Sequence, residues 1–190
     1  MSVEKTSTVE SLLGLLSLGP MSGYEMRQMM ERSTANFWTE SYGQIYPALK
    51  RMVKDGLATV EEQSKDGRAK KVYRLTGEGE RRLRKWLGVE TKPQMQRNEL
   101  LLKVFFGDRA ERGAIAAQVV AQRERCEDDL QRYEAALLRM EMEHSRHPAM
   151  PYWRMAVRCG MIHAKASIEW CDETFVELEK RGLVSKPTFY

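Results

Sequence analysis

Residues 41–79 read SYGQIYPALKRMVKDGLATVEEQSKDGRAKKVYRLTGEG, a helix pattern followed by two strand patterns joined at Asp66-Gly67. Ser41 is a good helix N-cap residue, and Gly56 after Asp55 can take the left-handed conformation that closes a helix. Spacing at 100° per residue gathers Ile45, Leu49, Met52 and Val53 on one apolar stripe. The opposite face collects Gly43, Gln44, Pro47, Lys50, Arg51 and Lys54: slim near the N-terminus, cationic towards the C-terminus. Pro47 removes one backbone donor, so either the regular helix begins later than Ser41 or its first turns are bent. Leu57–Gln63 and Ala69–Leu75 have strand character, and Lys65-Asp66-Gly67-Arg68 suits a hairpin tip. On the second run Tyr73 and Leu75 share one face, Lys70 and Arg74 the other.

Outward from this segment, Ser7 and Glu10 have the spacing of a capping box, and Val9, Leu12, Leu13 and Leu16 then fall on one helical face until Gly19-Pro20. Ser22 and Glu25 repeat the device and open a second helix through Met26, Met29 and Met30. Phe37 and Trp38, in the connection Thr34–Glu40, are expected to pack beneath the unit. After the hairpin, Thr76 caps a fourth helix in which Leu83, Trp86 and Leu87 should point inward. The order α-α-α-β-β-α is that of a winged helix-turn-helix.

That order and its charges point to double-stranded DNA. The net charge of +4 is modest, but Lys65, Arg68, Lys70, Lys71 and Arg74 are crowded into the second half of the hairpin with the single acid Asp66 among them. Lys50, Arg51, Lys54 and the wing cations Lys65, Arg68, Lys70 and Lys71 are expected on phosphates, which gives affinity without sequence information. Gln44 is the expected base reader, since an amide can bond an adenine edge bidentately. Ser41, Tyr42, Gly43 and Tyr46 lie on or beside the outer face. Tyr24 falls where the second helix would cross the backbone.

The same segment resembles the PadR family of bacterial transcriptional regulators. The matching residues are Gly23-Tyr24-Glu25-Met26, Ile45-Tyr46-Pro47-Ala48-Leu49-Lys50-Arg51 with Asp55-Gly56-Leu57, and in the wing Gly67-Arg68, Lys70-Lys71, Tyr73-Arg74-Leu75-Thr76 and Gly79. One departure is Val72, where an aromatic often precedes the wing tyrosine. The resemblance implies a dimeric winged-helix regulator, commonly a repressor and sometimes responsive to small aromatic molecules.

A composition shift at Glu90-Thr91-Lys92-Pro93-Gln94 divides the chain into an expected DNA-binding domain, 1–90, and a helical dimerisation domain, 91–190. In the second part, Leu100–Phe106 is apolar and ends at Gly107-Asp108. Ile115, Val119, Gln122, Cys126, Leu130, Tyr133, Leu137 and Met140 then recur at steps of three and four. After a break at Arg146–Pro151, so do Trp153, Val157, Met161, Ala164, Ile168, Cys171, Phe175 and Leu178. Two such seams joined by a short loop predict an antiparallel helical hairpin. Its apolar stripe is broader than one partner helix covers, so Ile115, Val119, Val157, Ile168 and Phe175 are expected in a homodimer interface. Asn98-Glu99-Leu100-Leu101-Leu102-Lys103 and Trp170-Cys171-Asp172-Glu173 resemble the longer branch of the same family.

Other chemistries find little footing. Cys126, Cys159 and Cys171 are odd in number and widely spaced, which suits reduced, mostly buried thiols. His144 and His147 lack further ligands at metal spacing and are expected as exposed helix-terminal histidines, so no metal and no cofactor is anticipated. There is no nucleophile elbow and no G-x-x-x-x-G-K loop, which argues against an enzyme. No apolar run reaches the roughly 18 residues of a membrane span, and the N-terminus has no signal-peptide core, so a cytoplasmic protein is expected. Trp153, Met161 and Trp170, taken with the family's habit, mark a possible pocket for a small aromatic or lipophilic effector. The alternative function is a winged-helix protein-interaction module that does not bind DNA.

Overall fold

The computed structural model describes residues 3–35, 37–65, 68–91 and 97–184, without the side chains of 3–7, 64, 65, 68 and 69. Two compact units divide between Pro93 and Gln94. The first contains α1 (Val3–Leu16), α2 (Gly23–Ser33), α3 (Tyr42–Lys54), β1 (Ala58–Lys65), β2 (Arg68–Leu75) and α4 (Gly77–Leu87). This is a winged helix.

Its core is built from the periodic positions. Val9, Leu12, Leu13 and Leu16 of α1, Met26 and Met30 of α2, and Ile45, Leu49 and Met52 of α3 are buried in one cluster with Leu57, Ala58, Tyr73 and Leu83. Each large apolar side chain buried in this way contributes roughly 1.5–3 kcal/mol. The capping box of α2 is present as read: Glu25 N donates to Ser22 Oγ at 3.3 Å, and Ser22 N donates to Glu25 Oε2 at 2.8 Å. Gly56 closes α3 at φ +70. The helix begins directly after Ser41 and runs through Pro47, so the proline costs only the bond to the Gly43 carbonyl one turn earlier. Thr76 Oγ1 accepts from Gly79 N at 3.0 Å and starts α4.

The hairpin pairs Ala58 with Leu75 through to Lys65 with Arg68, which leaves a two-residue connection. Asp66 and Gly67 themselves lie outside the described residues. Met21 adds a short third rung: its backbone exchanges hydrogen bonds with Tyr73 at 3.0 and 3.1 Å. Val72 is buried although it shares a face with Lys70 and Arg74, so both sides of β2 are covered there.

Several expectations are corrected. Helix α1 opens at Val3, which places Ser7 inside it, and Glu10 is no cap residue. Its carboxylate is 2% exposed and bonds the Arg82 guanidinium of α4 at 2.8–2.9 Å. A buried carboxylate needs such a partner far more than a solvated helix end needs a cap. Phe37 is 61% exposed rather than packed beneath the unit, and only Leu83 of α4 turns fully inward, since Trp86 and Leu87 are exposed. An amphipathic pattern fixes which side a residue occupies, not whether anything lies opposite it.

The second unit holds α5 (Glu99–Phe105), a short 3-10 turn (Gly107–Arg109), and the long helices α6 (Ala114–His144) and α7 (Met150–Lys180), packed as an antiparallel hairpin. Pro151 does not break α7 but sits in its first turn, where no helical N–H bond is lost. Val119, Cys126, Val157, Ala164 and Cys171 are buried between the two helices. Gly160 lets them approach: a Cβ there would stand 2.3 Å from the Tyr133 ring. No described helix is long and apolar enough to cross a membrane.

Candidate nucleic-acid interface

Helix α3 presents Tyr42, Gly43, Gln44, Tyr46, Pro47, Lys50, Arg51 and Lys54 to the outside, because its other face is committed to the core through Ile45, Leu49 and Met52. Tyr24 of α2 joins this surface. The rings of Tyr24 and Tyr42 stack at 6.5 Å and 2°, and those of Tyr42 and Tyr46 at 6.1 Å and 21°. Three tyrosines, each 43–55% exposed, thus form one ladder across the two helices. Tyr24 Oη accepts from Gln28 Nε2 at 2.9 Å, which leaves its own proton to give. Desolvation, and then the neighbouring Tyr24, push the Tyr42 phenol above its ordinary range, so it stays a neutral donor.

The ladder depends on Gly23. The Tyr46 ring lies against that residue so closely that a Cβ would meet Cε1 at 2.9 Å. In sequence Gly23 is only part of a motif; the close approach of the Tyr46 ring to the N-terminus of α2 is the reason for it.

Ser41 and Gln44 meet each other instead of facing outward independently. Gln44 Oε1 accepts from both Ser41 N and Ser41 Oγ at 2.8 Å. A bidentate adenine contact would therefore have to break this box, whereas the amide nitrogen of Gln44 can donate without doing so.

The wing is less basic than a count along the chain suggests. Lys70 Nζ is 2.5 Å from Glu25 Oε1, Lys71 lies 3.5 Å from Glu62, and Arg74 lies 3.6 Å from Glu61. The acids come from across the hairpin and from α2, where a linear window cannot see them. The exposed pairs of Lys71 and Arg74 are worth about 0–1 kcal/mol, so phosphate can displace them. The Lys65 and Arg68 side chains fall outside the described ones. On α3, by contrast, Lys50 and Lys54 have no ion pair among the described residues.

In the second unit the proposed effector residues do not converge. Trp153 and Trp170 are on the same helix, about 25 Å apart along its axis at the helical rise, so one pocket of one chain cannot use both. Trp153 lies in the first turn of α7, with His147 stacked on it at 4.6 Å and His144 edge-on at 5.9 Å. Both histidines are exposed, as expected, and rest on the indole. Met161 is half-buried. An open groove of about 300 Å³ lies elsewhere, between Val119, Val120, Phe175 and Val176, with Arg123 and Asp172 paired at 2.6 Å in its lining. Of the expected dimerisation residues, Val119 and Val157 are used up inside the hairpin, while Ile115, Ile168 and Phe175 are half-buried. Exposed apolar side chains include Leu101, Leu102, Phe105 and Phe106 around α5, Leu138 and Met142 on α6, and Tyr152, Met155, Ile162 and Val176 on α7. Cys126 and Cys171 are buried, but Cys159 is exposed. No cluster of metal-ligating side chains occurs among the described residues.

Residues 12–85 match the transcriptional regulator PadR-like family, and residues 96–179 match the virulence activator alpha C-terminal family. Residues 12–85 thus carry a PadR-like domain. It is similar to the negative transcriptional regulator PadR of Bacillus subtilis, with 33% identity over half of this chain and 54% of that protein's length. The chain therefore spans about half the length of that relative in this match. The crystal structure of Bacillus subtilis PadR in complex with operator DNA aligns with a TM-score of 0.80 at 22% identity, covering 90% of this chain and 98% of that one. The structure of the same protein with p-coumaric acid aligns at 0.74 and 22% identity, over 90% and 97%. At these identities the likeness establishes a shared fold, winged helix and C-terminal helices together.

Proposed function

We propose that this PadR-like chain is a sequence-specific DNA-binding transcriptional regulator. It acts as a repressor on an inverted-repeat operator, as a homodimer joined by the C-terminal helical domain. The observation that carries this reading is the surface shared by α3 and Tyr24 of α2: three stacked, exposed phenols, with Lys50 and Lys54 on the same face of α3, which no described acid neutralises. The phenols and ammonium groups bind phosphate, while Gln44 donates to a purine edge from a helix that enters the major groove. The family's description as regulators supports the same reading.

The homodimer buries the apolar residues of α5 and the exposed side of α7, and two-fold symmetry doubles a site that one winged helix reads only in part. A small aromatic effector shifts the DNA-binding equilibrium by binding the second unit. The p-coumaric acid complex of Bacillus subtilis PadR supports that step.

The test is binding to the duplex upstream of the coding region, followed against salt. Lys50→Ala should weaken all duplexes alike and flatten the plot of log K against log salt by about 0.9 per lost phosphate contact. Gln44→Ala should change base preference, with about 1 kcal/mol at stake for one directed bond. A protein that binds no duplex even at low salt would be an interaction module instead.

A further inference from the structure

Besides the packing of Tyr73 and Leu75 in the core, two polar contacts tie β2 to the helical body. The first is the backbone exchange between Met21 and Tyr73. The second lies three residues nearer the hairpin tip, about 10 Å along the strand, where Lys70 reaches Glu25. Between the two, Val72 is buried.

Glu25 is unusually well prepared to hold that second point. Its Oε2 accepts from Ser22 N at 2.8 Å and from Ser22 Oγ at 2.9 Å, which leaves Oε1 aimed at the Lys70 ammonium. An exposed ion pair usually gains little because two long side chains must be ordered to form it. Here the capping box has already fixed one of them. The hydrogen bond from Lys70, followed by the one from Ser22 N, holds the Glu25 carboxyl below the ordinary carboxylate range, so it is ionised at neutral pH.

We infer that Glu25 is a positioning residue for DNA recognition: through Lys70 it pins the wing at a fixed angle to α2 and α3. This rests on the DNA-binding reading above. The Tyr73 rung and the buried Val72 hold the base of the wing, and a contact nearer the tip sets its direction. Glu25 directly follows Tyr24, so one turn of α2 carries both a rung of the tyrosine ladder and the wing's anchor.

The inference predicts a sign that plain electrostatics does not. Removing a carboxylate beside a DNA-binding surface should strengthen binding if charge alone matters. If Glu25 pins the wing, Glu25→Gln should weaken binding about two- to fivefold per wing, as the loss of one such pair implies. The glutamine keeps an oxygen for the capping box, so α2 should stay intact.

The experiment uses the full chain and the variants Glu25→Gln, Lys70→Gln, the double variant and Lys70→Arg. Hydrogen exchange of residues 58–75 without DNA reads the pin itself, and binding to a mixed-sequence duplex across a salt series reads its use. Expected are faster wing exchange in both glutamine variants, a double variant no weaker than the weaker single one, and recovery in Lys70→Arg. Unchanged exchange would overturn the pin. Tighter binding by Glu25→Gln, with a salt slope steeper by about 0.9 per wing, would make Glu25 a mask over Lys70 and overturn the inference. Should Glu25→Gln fail to fold, Lys70→Gln at its exposed site decides by the same exchange measurement. A wild-type chain that binds no duplex would remove the DNA reading while the exchange result still judged the pin.

Discussion

Replacing Gly79 with alanine tests the packing that roots the wing. Gly79 is the third residue of α4, and its N–H is bonded to the capping Thr76. In an unconstrained helix the change would gain up to about 1 kcal/mol of propensity. Here the new Cβ would stand 2.2 Å from the Leu57 carbonyl oxygen and 2.7 Å from Leu75 Cδ1. The leucine can turn away, but the carbonyl cannot, since it accepts the Thr76 N–H at 3.2 Å. Relief requires α4 to retreat from the end of α3 and the start of β1, at an overpacking cost of about 1–3 kcal/mol plus a weakened hydrogen bond of about 1 kcal/mol. The balance is a destabilisation of roughly 1–3 kcal/mol. For a unit of this size each kcal/mol moves the thermal midpoint by about 4–8 °C. Gly77→Ala is the control, two residues earlier in the same helix, where the Cβ would meet only Arg81 Nη1 at 3.7 Å; it should be neutral or slightly stabilising. Calorimetry and urea unfolding of the two variants measure the difference. A Gly79→Ala protein as stable as Gly77→Ala would show that α4 is not held against that carbonyl.

Gly23→Ala should separate stability from function. Its Cβ would meet Tyr46 Cε1 at 2.9 Å and Leu49 Cδ1 at 3.3 Å, and the exposed ring is the neighbour free to give way, so the midpoint should move little while duplex affinity falls by about tenfold, the loss of roughly one hydroxyl–phosphate bond; parallel calorimetry and anisotropy measure both. Thiol labelling under native conditions should proceed first at exposed Cys159, with Cys171 slowest, because it is fully buried and burial pushes its thiol up; peptide mapping of the alkylated protein reads the order. The Glu25 carboxyl should titrate below 4.5, its ordinary value. Its folded pKa is depressed, so its contribution is fully present above 4.5 and is lost as pH falls through the folded value, with wing exchange rising in that acid range; carboxyl chemical shifts follow it.

Much of the winged helix is legible from residue order alone. The capping box of Ser22 and Glu25, the buried stripe of Ile45, Leu49 and Met52, and the hairpin register closing at Lys65 and Arg68 all depend on neighbours a few positions apart. Caps, helical faces and tight turns leave their signature within one short window of sequence. What that window could not contain was decided by tertiary contact. Glu10 looks like a cap residue until Arg82, 72 positions later, is placed against it. Glu25 reads as a complete capping residue, yet Lys70, 45 positions away, gives it a second task. Phe37, Trp86 and Leu87 have the composition of core residues and remain exposed, while Trp153 and Trp170 share a helix and never meet. Periodicity reports the angle at which a side chain leaves its own element. What stands at the far end of that direction is set by the packing of elements distant in sequence, and there the tyrosine ladder and the anchored wing take their form.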